Sequence, residues 1–263
     1  MRDPLTSNAN DVDYWAESQR PWVSLLFVLP FLGLYEFGAR SLASASQPTG
    51  ADRWLREGFL HAGLEIPWLL PSCLILVLLG WHQITKQPWR CRWQTLTGMF
   101  GESLLFAMIL VLLGQGLHLA FRHAGLPTAP GTVASLSIST KSLGFLGAGI
   151  YEEVLFRLLL LPALYGGCRC LQLGRGSAAG VALLATSLLF AAAHYLGPGM
   201  SPFQLQSLAA ACCRVLRDDA LWFSFLFRAL AGGLFAGLFF TRGFGVTVGC
   251  HAIYDLIVGG VMS

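Results

Sequence analysis

The stretch Gly149-Ile150-Tyr151-Glu152-Glu153-Val154-Leu155-Phe156-Arg157 sets two acids and a base inside an apolar run that continues through Leu158-Leu159-Leu160-Leu161. An ionisable side chain inside a bilayer costs about 3 kcal/mol on insertion scales, so each needs a partner or a purpose. Four residues apart on a helix, Glu153 and Arg157 share a face, with the acid in the favourable N-terminal position for mutual neutralisation. Glu152 points about 100° away around the helix and has no local counter-charge. A buried carboxylate without a partner is a setting for general acid/base chemistry. Glu153 and Arg157 read first as an ion pair that locks helix packing.

The rest of the chain has the same character. Of 263 residues, 55% are hydrophobic and 12% charged, against about 25% charged in a soluble domain. A surface this apolar would aggregate in water. The composition also excludes a disordered chain and a small disulfide-rich fold. A net charge of +3, scattered along the chain, gives no footprint for nucleic acid. A spanning helix needs about 20 mostly apolar residues. That ruler gives seven candidate spans, near 21–39, 66–82, 98–120, 142–164, 177–196, 222–241 and 244–261. The expected fold is an all-α, polytopic transmembrane bundle of about seven to eight spans.

Polar punctuation separates these runs, including Ser44–Arg56, Lys86–Arg92 and Gly166–Ser177. The stretch 203–216 is only moderately apolar and suits a segment lying on the membrane or entering it partway. Residues 1–20 carry Asp3, Asp11, Asp13 and Glu17 without an apolar run, unlike a cleavable signal peptide, so the first span is expected to remain as an anchor. Loop Lys and Arg divide eight against seven between the two sides of a seven-span arrangement, which assigns no orientation. Seven cysteines include no C-x-x-C pair and are given no role.

Two further spans contribute polar groups. Phe190-Ala191-Ala192-Ala193-His194 puts Phe190 and His194 on one face, and His251-Ala252-Ile253-Tyr254-Asp255 does the same for His251 and Asp255. Asp255 can orient His251, or both can face a common cavity. With Glu152, they form a set of acid, His, His and Asp drawn from three spans. Three chemistries fit it. Glu152 and His194 can activate water while His251 and Asp255 stabilise an oxyanion, giving peptide hydrolysis. Glu152, His194 and His251 can ligate zinc, although no H-E-x-x-H pair is present. The same groups can relay protons or ions in a transporter.

The order Glu152-Glu153-x-x-x-Arg157, Phe190-x-x-x-His194, His251-x-x-x-Asp255 resembles the CAAX-processing endopeptidase and bacteriocin-processing family of glutamic-type intramembrane proteases. The resemblance covers about residues 142–261; nothing before it carries a usable motif. It implies a membrane-embedded endopeptidase acting on membrane-associated or lipidated proteins or peptides, in which Glu152 and His194 activate the attacking water. His251 and Asp255 would hold the oxyanion, and Glu153, Arg157 and Phe190 would support the site. It implies no cofactor, with zinc as the alternative, and no partner beyond the bilayer and a membrane-associated substrate. A bacterial inner membrane is the expected location.

This chain departs from many relatives in having Leu158 after the motif arginine, where they have Gly, and Asp255 where they have Asn. An ionised Asp255 has no donor and would orient His251 rather than touch an oxyanion. The expected organisation is a polar tail over 1–20, membrane helices over 21–141, and the peptidase motif region over 142–263, forming one integrated membrane domain. A non-catalytic scaffold or bacteriocin-immunity protein of the same fold is the alternative. Tyr35, Glu36, Glu102, His118 and Arg228 are further polar residues in apolar segments, read first as interhelical hydrogen-bond partners. Glu36 or His118 is also a candidate for the substrate entrance.

Overall fold

The computed structural model describes residues 13–41, 50–128, 138–197 and 199–261. Among them every regular element is helical. The order is α1 (Tyr14–Ser18), α2 (Pro21–Ser41), α3 (Gly50–His61), α4 (Leu69–Thr85), α5 (Trp93–His123), α6 (Ile138–Glu153), a π-helical segment (Val154–Leu160), α7 (Leu161–Cys170), α8 (Arg175–Ala193), α9 (Leu205–Arg217), a 3₁₀ turn (Asp219–Leu221), α10 (Trp222–Arg242) and α11 (Phe244–Val261).

Local chemistry explains several boundaries. Pro21 occupies the first position of α2, where its missing N–H costs nothing. Pro67 precedes α4 and Pro71 falls in its first turn, so neither proline interrupts that helix. Lys86 closes α4 in the left-handed conformation, with φ 51°.

Among the described residues four segments are long and apolar enough to cross a membrane: Pro21–Ser41, Trp93–His123, Arg175–Ala193 and Asp219–Arg242. Leu69–Thr85 and Phe244–Gly260 are shorter apolar helices. The outer faces of these segments carry exposed apolar side chains, among them Leu104, Leu105, Ile109 and Leu112 on α5 and Leu184 and Leu188 on α8. Lipid satisfies such a surface and water does not. Each of the seven apolar runs in the sequence coincides with helix, and the fourth is composite: α6, the π segment and α7 run on from Ile138 to Cys170.

α11 packs against α2, α5, α6 and α10. Small residues permit this. A Cβ on Gly149 of α6 would lie 2.7 Å from both the backbone nitrogen and the Cβ of Ala252, and one on Gly245 would lie 2.6 Å from Met99 Cε. Membrane helices lack a hydrophobic driving force between them and gain stability from this kind of close approach.

Two segments correct the sequence reading. Ser44–Arg56 was expected to be polar punctuation, but from Gly50 onward it belongs to α3. Ala51, Asp52 and Trp54 of that helix are buried. Asp52 accepts from Tyr35 Oη at 2.7 Å and Arg56 Nε at 2.6 Å, while Trp54 Nε1 donates to Met200 O at 3.1 Å. Burial pushes the Asp52 carboxyl above the usual range, and the Arg56 charge offsets only part of that push. The tail over 1–20 likewise ends in α1, which is tied down rather than solvated. Glu17 there accepts from the Arg92 backbone N–H at 2.9 Å, Arg92 Nε at 3.0 Å and Thr95 Oγ1 at 2.8 Å. The stretch 203–216 is the amphipathic helix α9, which buries Ser207, Ala211 and Val215 at four-residue intervals.

Candidate active site

The polar residues of α6 differ in their surroundings. Glu153 and Arg157 are fully buried, whereas 14% of the Glu152 side chain is exposed. Arg157 lies in the π segment, whose wide turn closes with the Leu161 N–H donating to Phe156 O, an i→i+5 bond. Its Nη1 donates to Glu153 Oε1 at 3.1 Å and its Nη2 to Gly232 O on α10 at 3.0 Å. The guanidinium also sits 4.5 Å from the Phe190 ring centroid and 5.2 Å from that of Phe235, close enough for cation–π attraction. The expected pairing of Glu153 with Arg157 is therefore present.

His251 of α11 is fixed on three sides. Nδ1 donates to Glu153 Oε1 at 2.7 Å, the ring stacks on Phe235 at 4.5 Å, and Phe190 packs edge-on at 5.9 Å. Its Nε2 lies 3.5 Å from Asp255 Oδ2 and 3.9 Å from Glu152 Oε2. Of the two arrangements that the sequence leaves open for Asp255, the second holds. Glu153 takes the hydrogen bond that sets the ring, and both His251 and Asp255 line one cavity.

His194 ends α8, where Nδ1 donates to the Phe190 carbonyl at 2.8 Å. That bond turns Nε2 toward Glu152 Oε2, 3.7 Å away. The spacing of Phe190 and His194 thus serves backbone and ring at once: the Phe190 carbonyl accepts from His194, and its ring packs on both histidines.

Glu152, His194, His251 and Asp255 meet in a cavity of about 410 Å³, otherwise walled largely by phenylalanines such as Phe190, Phe223, Phe227 and Phe235. Arg228 also faces this cavity. Its Nη1 donates to Tyr195 Oη at 3.1 Å and to Ser224 O at 3.3 Å. Sequence reading gave Arg228 only a packing role; its position in an apolar segment was the available signal for something more. Phe235 and Tyr254 carried no sequence signal, because an aromatic in an apolar run is ordinary packing.

The other candidates lie elsewhere. Glu36 accepts from Arg40 at 2.6 Å, from Arg56 at 2.9 Å and from the Tyr151 hydroxyl, in a network outside the cavity. Glu102 accepts from Tyr14 and Arg242, both at 2.7 Å. His118 packs edge-on against Phe223, whose ring lines the cavity. Among the described residues no group of three or more His, Cys, Asp and Glu side chains is arranged to hold a metal ion.

Comparison with known proteins gives one result. Neither the curated proteins nor the solved structures include a match to this chain. The family model described as type II CAAX prenyl endopeptidase Rce1-like matches residues 134–257, a span that contains Glu152, Glu153, Arg157, Phe190, His194, His251 and Asp255. Over that segment this helical membrane protein is similar to the Rce1-like type II CAAX prenyl endopeptidases.

Proposed function

We propose that the protein is a glutamic-type intramembrane endopeptidase that hydrolyses a peptide bond in a membrane-associated or lipidated protein or peptide, in a bacterial inner membrane. The observation that carries this reading is the placement of Glu152 Oε2 3.7 Å from His194 Nε2 and 3.9 Å from His251 Nε2 at the wall of an apolar cavity. Both separations exceed a direct hydrogen bond and suit groups that share a small reactant between them.

In the proposed reaction, a water held between Glu152 and His194 attacks the scissile carbonyl carbon. Its proton passes to Glu152, and the carbonyl π electrons move onto oxygen. His251 acts as an imidazolium, with Nδ1–H on Glu153 and Nε2–H donated to the oxyanion. Collapse of the tetrahedral species breaks the C–N bond, and the proton on Glu152 leaves with the amine. Asp255 faces His251 Nε2 and adds to oxyanion binding as a donor only when protonated. Glu153, Arg157 and Phe190 hold these groups in place. The chemistry requires no cofactor. Full cleavage by protein verified to be metal-free supports that mechanism; cleavage restored only by zinc would recast Glu152 and the histidines as ligands.

The deciding experiment compares protein termini in membranes from cells making equal amounts of folded wild type or Glu152→Gln. New termini found only with wild type identify a peptidase and its cleavage site. Identical termini at adequate coverage would favour a binding or immunity role.

A further inference from the structure

Among the described residues, Arg20 is a buried cation without an ion-pair partner. Only 8% of its surface is exposed, and its Nε has no hydrogen-bond partner there. The acid nearest in sequence, Glu17, is committed to Arg92 and Thr95, as described above. Arg20 instead lines a cleft of about 270 Å³, together with Gln19, Trp81, Thr85 and Gln87. The same cleft reaches Pro21, the first residue of the 21-residue helix α2. Pro21 has no N–H, so the earliest donors at this positive end of the helix dipole are the N–H groups of Trp22 and Val23, which follow it.

A guanidinium beside a helix N-terminus is a site for a phosphate group. Its surroundings point to a phosphate carried on a lipid. Arg20 precedes a membrane-spanning helix, so the cleft lies where a bilayer presents its headgroups. Trp15 and Trp89 are exposed, and Trp89 packs edge-on at 5.1 Å against Trp22, the second residue of α2. Aromatic residues of this kind mark the membrane–water boundary. Val77 and Ile84 share the helical face of Trp81 and are exposed, Ile84 level with the cleft and Val77 one turn before it, which leaves an apolar track for acyl chains. Lys86 and Arg90 come next along the chain, on the polar side, and add to the attraction for anionic lipid.

We propose that this cleft binds the phosphate of an anionic phospholipid headgroup through Arg20 and the N-terminus of α2, independently of the catalytic cavity. The test uses the full chain in detergent, with added phosphatidylglycerol, diacylglycerol or inorganic phosphate, and reads adducts by native mass spectrometry and Tm by thermal unfolding. Wild type should retain one phosphatidylglycerol and no diacylglycerol. Arg20→Gln should lower retention about tenfold, the loss of one charge-assisted contact, and Arg20→Lys should recover part of it.

If Arg20→Gln fails to fold, Gln87→Glu serves, because Gln87 is exposed on the cleft. Its carboxylate would compete for Arg20, so the adduct should fall while the lipid-free Tm stays level or rises. Equal adducts in wild type and these variants, or equal retention of diacylglycerol, overturn the proposal. An Arg20-dependent rise in Tm with inorganic phosphate, without a lipid adduct, overturns the lipid assignment.

Discussion

His251 Nδ1 donates to Glu153 Oε1 at 2.7 Å across 98 positions of sequence. The same oxygen accepts from Arg157 Nη1 at 3.1 Å, so one buried carboxylate holds the ion pair of its own helix and the imidazole of the last. The ring's remaining nitrogen is left to face Glu152 and Asp255.

Glu153→Gln should therefore lower stability by about 3–5 kcal/mol, since it leaves Arg157 without its anion in a buried site. Asp255→Asn removes no bond that holds the His251 ring, and its Tm should stay near wild type. Thermal unfolding of the purified proteins compares the two; equal stability of Glu153→Gln and wild type would remove the bracing role.

Glu152→Gln should leave Tm unchanged and lower the cleavage rate by about 10²–10⁴-fold, the usual worth of a positioned base. Glu152 has a partly exposed side chain and no hydrogen bond to its Oε2 that the amide would break. A variant that keeps wild-type rates on the substrate found by terminus mapping would displace Glu152 from the water-activating role.

Glu152 and His194 are proposed to act on one water, so their removal should not be additive. The double variant Glu152→Gln with His194→Ala should cleave about as slowly as the slower single variant. Multiplying defects would mean that the two residues serve separate steps.

Gly149→Val should be destabilising by about 1–3 kcal/mol through overpacking. The new Cβ would meet the backbone of Ala252, and α11 would shift together with the adjacent His251. Cleavage should fall along with Tm. Wild-type values of both would show that α6 and α11 separate at little cost.

Glu17 provides a pH signature outside the spans. Burial pushes its carboxyl up, but donation from the Arg92 backbone, Thr95 and the Arg92 guanidinium outweighs that push and holds it below the usual range. Its contribution to stability is present above the unfolded-state value of about 4.3 and is lost as pH falls through the lowered folded value. The Tm gap between wild type and Glu17→Gln should be widest near neutrality and close on acidification; a gap that widens with acid would contradict the assignment.

Hydropathy was a good guide where helices face lipid, because the bilayer imposes both the length and the apolarity that it measures. It failed at α3. Arg53, Arg56 and Glu57 mask a helix whose buried positions Ala51 and Trp54 are spaced for one face. The motif residues are legible for a related reason: spacing places Glu153 with Arg157 and His251 with Asp255 on shared faces. Helical spacing says nothing about a partner on another helix. The bond from His251 to Glu153 depends on how α11 crosses α6, and that crossing is allowed by Gly149. Arg228 illustrates the same limit, since the cavity that it faces is assembled from α6, α8, α10 and α11.

The π turn over Val154–Leu160 makes sequence length and rotation different rulers along this helix. A π turn accommodates an extra residue, so removing one from this segment would let it relax into ordinary α-helix with α7 still facing the same way, whereas winding all the residues as α-helix would turn α7 by about 100° relative to Glu152. A helical wheel drawn through Cys170 from the frame of Glu152 therefore assigns wrong faces beyond Leu160. Grafting this region onto another scaffold requires carrying the extra residue along with the side chains.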